Sequence, residues 1–268
     1  MPVRKIRFLR YGVSEGCHDL CNSLKEDGYD AKKLKVEGST YCGYPGHLVV
    51  NWGSSSRKSI REGIPILNEP SAVRLASEKF NTFQVLDRDG LGRYTPKYTD
   101  VKSVAVDWIE RDCDMVYCRE LTRGSQGRGI VIARQVEELV DAPLYTAGLS
   151  VDREVRIHVF KGNVIDFSQK KRMGRDRREE VGIESNVNEE IRNHANGWVF
   201  AREGVSIPDD AKDVAIRAIG ILGLDFGAVD MIITLQRMPK ILEVNTAPGL
   251  EGTTLDSYKE ALLRVINE

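Results

Sequence analysis

Near the end of the chain two apolar runs, "FGAVDMIIT" (226–234) and "KILEVN" (240–245), stand five residues apart, and each carries an acid. Runs this short and this rich in Val and Ile read as strands, whose side chains alternate between faces. Glu243 and Asn245 therefore share a face, roughly 7 Å apart at ~3.3 Å per residue. Pro248 and Gly249 end the second strand. Asp230 sits among Val229, Met231, Ile232 and Ile233, where a carboxylate is costly unless it is paired or metal-bound. If the two strands pair, Asp230, Glu243 and Asn245 converge, and three hard oxygen donors suit one or two Mg²⁺ ions on nucleotide phosphates. Taken alone, the Glu-x-Asn also fits a strand fraying into a polar hairpin. Asp230 also fits an exposed edge strand, although apolar flanks on both faces weigh against that reading.

The earlier chain gives these strands a setting. "KIRFLR" reads as a strand, followed by a glycine-bearing turn and an amphipathic helix in "YGVSEGCHDLCNSLKEDGY"; "HLVVNW" is a further strand. Ser71 to Leu86 has a helical apolar pattern that includes Lys79. "DMVYCRE" and "IVIAR" are strands on either side of a glycine-rich turn, and "REVRIHVFKGNVIDFSQKKR" is two alternating strands turned at Lys161-Gly162-Asn163. "PDDAKDVAIRAIGILGL" is a helix opened by Pro208 and two acids, and a last helix starts at Asp256 or Ser257. The 268 residues hold one large α/β domain or two to three lobes around a cleft.

Composition narrows the function classes. A net charge of −1 exerts no general pull toward nucleic acid or anionic membrane. No run has the length of a membrane span, and "MPVRKIRFLRYG" lacks the apolar middle of a signal peptide. The five cysteines form no CxxC pair, which points to reduced thiols and a cytoplasmic protein. "RELTRGSQGRGIVI" lacks Gly-Lys-[Ser/Thr] and runs into a strand rather than a helix, so it is neither a P-loop nor a dinucleotide motif. A glycine-rich turn between strands can instead close over phosphates, and it is also common hairpin material. The charge run "KKRMGRDRREE" reads first as a solvated segment and second as a substrate-facing one. Acids interrupt it and no aromatic platform interleaves it, so nucleic-acid binding comes last.

Together, "GLDFGAVDMIIT" and "KILEVNTAPGLEG" resemble the C-terminal element of ATP-grasp carboxylate–amine ligases, similar to the ribosomal-protein glutamate ligases and a phage-type branch. The resemblance covers nearly the whole chain. It implies an α+β ATP-grasp fold of three lobes: 1–70, 71–148 and 149–268, with ATP between the central and C-terminal ones. By position, Asp230, Glu243 and Asn245 are similar to the Mg²⁺ ligands, with Mn²⁺ an alternative metal. Lys79 and Arg119 match phosphate-contacting cations, with Arg119 where the family usually has lysine. Gly124, Ser125, Gly127 and Gly129 match the loop over the triphosphate, and Leu144, Tyr145 and Thr146 match the hinge whose backbone binds adenine. Asp152 or Glu154 is implied for the ribose, Arg156 with Lys170 or Lys171 for the reacting end, and Arg192 and Asn193 for the acyl-phosphate. Ala228 stands where D-alanine–D-alanine ligases carry an arginine, which argues against that branch.

The resemblance further implies that ATP phosphorylates a substrate carboxylate and that an amine from an amino acid, peptide or protein tail displaces the phosphate. The competing readings are a small-molecule kinase and a nucleotide-binding protein that ligates nothing. No feature of the chain specifies an oligomer.

Overall fold

A computed structural model describes residues 5–122, 129–183 and 189–267. Gly124, Ser125 and Gly127 lie outside the described residues. The first sheet is parallel and has four strands, β1 (Lys5–Arg10), β2 (Asp30–Lys33), β3 (His47–Trp52) and β4 (Ile66–Leu67), in the order β2-β1-β3-β4. Helix α1 (Glu15–Glu26) crosses from β1 to β2. Its Ser14 N-cap accepts from the Cys17 N–H at 3.3 Å, satisfying one of the amides a helix start leaves open.

The helix expected from Ser71 to Leu86 is two helices, α2 (Pro70–Ser77) and α3 (Lys79–Leu86). Glu78 is extended between them (φ −103°, ψ 98°), and the Lys79 N–H bonds to the Thr122 carbonyl at 3.3 Å. The apolar pattern runs through the break because both helices bury the same side. The kink makes Lys79 a helix-opening residue instead of a mid-helix one.

The second sheet is antiparallel, with β5 (Tyr98–Thr99), β6 (Val116–Arg119), β7 (Ile130–Ala133) and β8 (Leu144–Ala147) in the order β5-β8-β6-β7. Helix α4 (Lys102–Arg111) packs Ala105 and Trp108 on it.

The third sheet carries the late strands. β9 (Val151–Phe160) and β10 (Asn163–Arg172) form a hairpin in which Lys161 (φ 47°) and Gly162 (φ 74°) are both left-handed, as a two-residue type I′ turn requires. After the short α5 (Arg175–Glu180) come β11 (Trp198–Ala201), α6 (Asp209–Ile221), β12 (Phe226–Thr234) and β13 (Pro239–Asn245). The order β11-β10-β9-β12-β13 is antiparallel throughout. One face buries Val155, Ile157, Val159, Val229, Met231, Ile233 and Ile241 against α6 and α2.

Helix α7 (Thr253–Asn267) starts earlier than Asp256 and packs back on the first sheet. Tyr258, Leu262, Phe160 and Phe226 share one core with Ile6, Phe8 and Trp52, the Trp52 and Phe226 rings lying 5.2 Å apart. Buried Asn68 (φ 62°) adds polar stitching. Its N–H donates to Asp225 Oδ2 (2.6 Å) and its amide to the Phe226 carbonyl (2.9 Å), while its Oδ1 accepts from both of those backbone N–H groups. The first 70 residues therefore share their core with the end of the chain.

Candidate active site

The face of the third sheet turned away from α6 is apolar at one end, where Phe160 and Phe226 join the core shared with the first sheet, and polar at the other. Asp230 pairs with Arg156 of β9 on one side and with Glu243 of β13 on the other, so strand pairing sets the three side by side. Between Asp230 and Met231 the register with β13 slips, from Glu243 to Ile241. Leu242 is the unpaired extra residue of this bulge, and both it and Glu243 line the cavity in front of the sheet. Asn245 lines it too, its Oδ1 accepting from the Ala247 N–H at 3.0 Å.

Each acid has a cation. Arg156 clasps Asp230 bidentately (Nε–Oδ1 2.6 Å, NH2–Oδ2 2.7 Å), and its guanidinium lies 4.3 Å from the centre of the Phe200 ring. Lys170 pairs with Glu154, and Lys79 Nζ reaches Glu243 Oε2 at 2.8 Å. Burial alone would raise the Asp230 carboxyl, but Arg156 and Lys170 outweigh it and hold the group below the ordinary carboxylate range. Glu154 goes the other way, because its burial exceeds the pull of Lys170. Across the cavity stands Arg119 of β6. Burial lowers its basicity against the opposing field of Glu243, and its Nε has no hydrogen-bond partner among the described residues.

The cavity holds about 430 Å³, within the range of small-molecule sites. Ile130, Thr146, Ala147 and Leu149 line it from the second sheet and the segment after it; Ile232 and Leu242 line it from the third. Arg192, Asn193 and Trp198 lie in its wall. The Arg192 guanidinium sits 4.7 Å from the Trp198 ring and donates to the Glu189 carbonyl, while Asn193 Oδ1 caps a short turn by accepting from the Asn196 N–H at 2.9 Å.

Four expected positions lie elsewhere. Lys171 projects from the opposite face of β10, its Nζ 3.5 Å from the Glu203 carbonyl, because neighbours on a strand cannot share a face. Asp152 is exposed, 3.7 Å from Arg153 Nε and outside the cavity lining. Leu144 and Tyr145 are buried in mid-strand, where the Tyr145 hydroxyl donates to the Val140 carbonyl at 3.0 Å. Both residues pair with β6, at Arg119 and Cys118, and Tyr145 also pairs with Thr99 of β5. The chain meets the cavity instead at Thr146, Ala147 and Leu149. Gly129 (φ 65°) closes the neck of the glycine-rich turn, its carbonyl accepting from the Glu120 N–H at 2.8 Å.

Sequence reasoning missed three things. Phe200 and Trp198 roof the arginines, and nothing in "NGWVF" announces it. Arg172 shares the face of Lys170 and pairs with Glu189, which alternation in "QKKR" could have shown. Leu242 joins the site only through the bulge.

The donor chemistry fits an Mg-nucleotide. Among the described residues no three acidic, His or Cys side chains converge; the oxygen donors available to a metal here would be the Asp230 and Glu243 carboxylates with the Asn245 amide. The Arg119 guanidinium in the lining offers positive charge for an anion.

A family model described as the RimK-like ATP-grasp domain matches residues 76–267. The chain belongs to this family, and its fold is the α+β ATP-grasp fold. Two curated relatives carry the name probable alpha-L-glutamate ligase. The protein of Maridesulfovibrio salexigens is 27% identical over 265 residues, covering 93% of this chain and 80% of the relative. That of Parasynechococcus marenigrum is 28% identical over 218 residues, covering 77% of this chain but 43% of the longer relative. Among solved structures, the ATP-grasp ligase PsnB, complexed with a phosphomimetic variant of its minimal precursor, Mg and ADP, superposes with a TM-score of 0.67 at 13% identity. That match covers 99% of this chain and 100% of the other.

Proposed function

We propose that the protein is an ATP-dependent, ADP-forming ligase that joins a carboxylate to an amine through an acyl-phosphate. The observation that carries this reading is the row Arg156–Asp230–Glu243 on one sheet, lining one cavity with Arg119 of another. Adenine lies between Ile130, Thr146, Ala147 and Leu149 on one side and Ile232 and Leu242 on the other. Arg119 and Lys79 take the phosphates. Asp230, Glu243 and Asn245 would hold Mg²⁺, which would supply charge neutralisation at the phosphates.

The substrate carboxylate oxygen attacks the γ-phosphorus, and the bond from that phosphorus to the β-bridging oxygen breaks, releasing ADP. The amine then attacks the acyl carbon. Phosphate leaves with the carboxylate oxygen, and the nitrogen loses a proton. Arg156 is fixed by Asp230 and Phe200, and with Lys170 and Arg192 it stabilises negative charge at the reacting end. These steps need alignment and charge neutralisation more than a protein nucleophile. The name shared by the relatives makes L-glutamate the first amine to test, and the precursor held by PsnB makes a peptide the first carboxylate.

The test is ADP and phosphate release from Mg-ATP with pooled amino acids and glutamate-rich peptides, products being weighed by mass spectrometry and Asp230→Asn serving as blank. A product short of one water supports the ligase. A product heavier by one phosphate makes the protein a kinase.

A further inference from the structure

Each metal-side acid is held by a cation of the chain. Glu243 is closed by Lys79 at 2.8 Å, the two side chains being 26% and 12% exposed, and Asp230 is closed by Arg156. The pairs differ in kind. Arg156 is bidentate and lies against the Phe200 ring, and it arises from the strand next to Asp230. Lys79 is a point charge on a flexible stem, and it comes from another part of the molecule, at the first residue of α3 just past the kink at Glu78. A dication approaching alone finds both carboxylates neutralised, and to take Glu243 it must displace the Lys79 ammonium from a partly buried ion pair. A polyphosphate meets the opposite situation. Arg119 lines the cavity, its buried Nε without a hydrogen-bond partner among the described residues, and the phosphates can then draw Lys79 across.

We infer that Lys79 is a built-in counter-ion that closes Glu243 to metal until a polyphosphate draws it away, so that nucleotide enters without metal but metal does not enter without nucleotide. This rests on reading the cavity as a nucleotide–metal site. It adds an order of binding, and it gives Lys79 a second task besides contacting phosphate.

The experiment uses the full chain with Mn²⁺ and ADP as probes. Free Mn²⁺ is counted by electron paramagnetic resonance, and ADP binding in EDTA is measured by calorimetry. The wild-type protein should bind ADP in EDTA and take up no Mn²⁺ alone. Lys79→Met frees Glu243 and should bind Mn²⁺ without nucleotide, at least about tenfold more tightly than wild type, a difference of roughly 1.4 kcal/mol. Arg119→Met removes an equal charge facing the same acid without freeing it, and should gain no Mn²⁺. Lys79→Met/Glu243→Gln should lose the gain.

Wild type binding Mn²⁺ alone as tightly as Lys79→Met would overturn the inference, and so would an equal gain in Arg119→Met. ADP binding only when metal is present would overturn the order and leave the nucleotide site standing. No ADP binding under either condition would remove the site reading and the inference together. The wild-type arms need no variant to fold.

Discussion

The two faces of the five-stranded sheet are built from alternate residues of the same strands and do opposite things. On β9 and β12, Val155, Ile157, Val159, Val229, Met231 and Ile233 go to the face under α6, where apolar contact is complete. Glu154, Arg156 and Asp230, set between them, go to the other face and meet as ion pairs. A paired charge removed from water contributes little net stability, whereas a buried Ile or Val contributes directly. The comparison teaches that the apolar face holds the strands in register and that this register brings the charges together. Stability and chemistry should therefore separate by residue parity along each strand.

The largest effect should come from the polar face. Glu243→Gln and Asp230→Asn should each reduce Mg-ATP turnover by roughly 10²–10³-fold or more, the scale on which single preorganised electrostatic groups act. Circular dichroism should remain native, and near-normal turnover in both would break the comparison. On the apolar face, Ile157→Ala should cost about 2–5 kcal/mol in a denaturant titration. The surviving folded protein should bind Mg-ADP with wild-type affinity.

Parity was legible in the sequence where strands run regularly. "VDMIIT" and "LEVN" put Asp230, Glu243 and Asn245 on one side without any coordinates, and the turn at Lys161-Gly162 announced its hairpin. Irregular backbone was not legible. The bulge that adds Leu242 to the site is a property of how β13 pairs with β12, and a one-residue slip changes which side chains share a face. The same uncertainty left Lys170 and Lys171 as alternatives. Pairing with β9 and β11 decides between them, so Lys170→Ala should impair turnover and Lys171→Ala should leave it unchanged. The break at Glu78 was hidden because α2 and α3 together keep the pattern of one helix. Of the hinge expected at Leu144, Tyr145 and Thr146, only Thr146 lines the cavity, and a strand and a hinge look alike when the next strand is unknown.

A pH-dependent effect sharpens the comparison at its boundary. His158 lies on the polar face but packs edge-on against Tyr258, and burial followed by the Arg156 charge lowers its pKa to about 3 against the opposing pull of Asp166 and Asp230. The unfolded ring titrates near 6.5. The neutral-ring contribution is therefore complete above about pH 6.5 and is lost as pH falls toward 3, where the unfolded state binds the extra proton. His158→Gln should flatten that part of the acid stability curve. The smallest effect belongs to α5. Its exposed Arg175–Glu179 pair should contribute at most about 0.5 kcal/mol when Arg175→Ala is measured by thermal melting.

The central claim is that the polar face activates a carboxylate by phosphorylating it. The most direct measurement follows ¹⁸O from a labelled carboxylate substrate, peptide or amino acid, into the inorganic phosphate released during Mg-ATP turnover. The account predicts one ¹⁸O atom in each phosphate, because the acyl oxygen leaves with phosphorus when the amine attacks. Phosphate released without label, or phosphorus retained on the product, would contradict it.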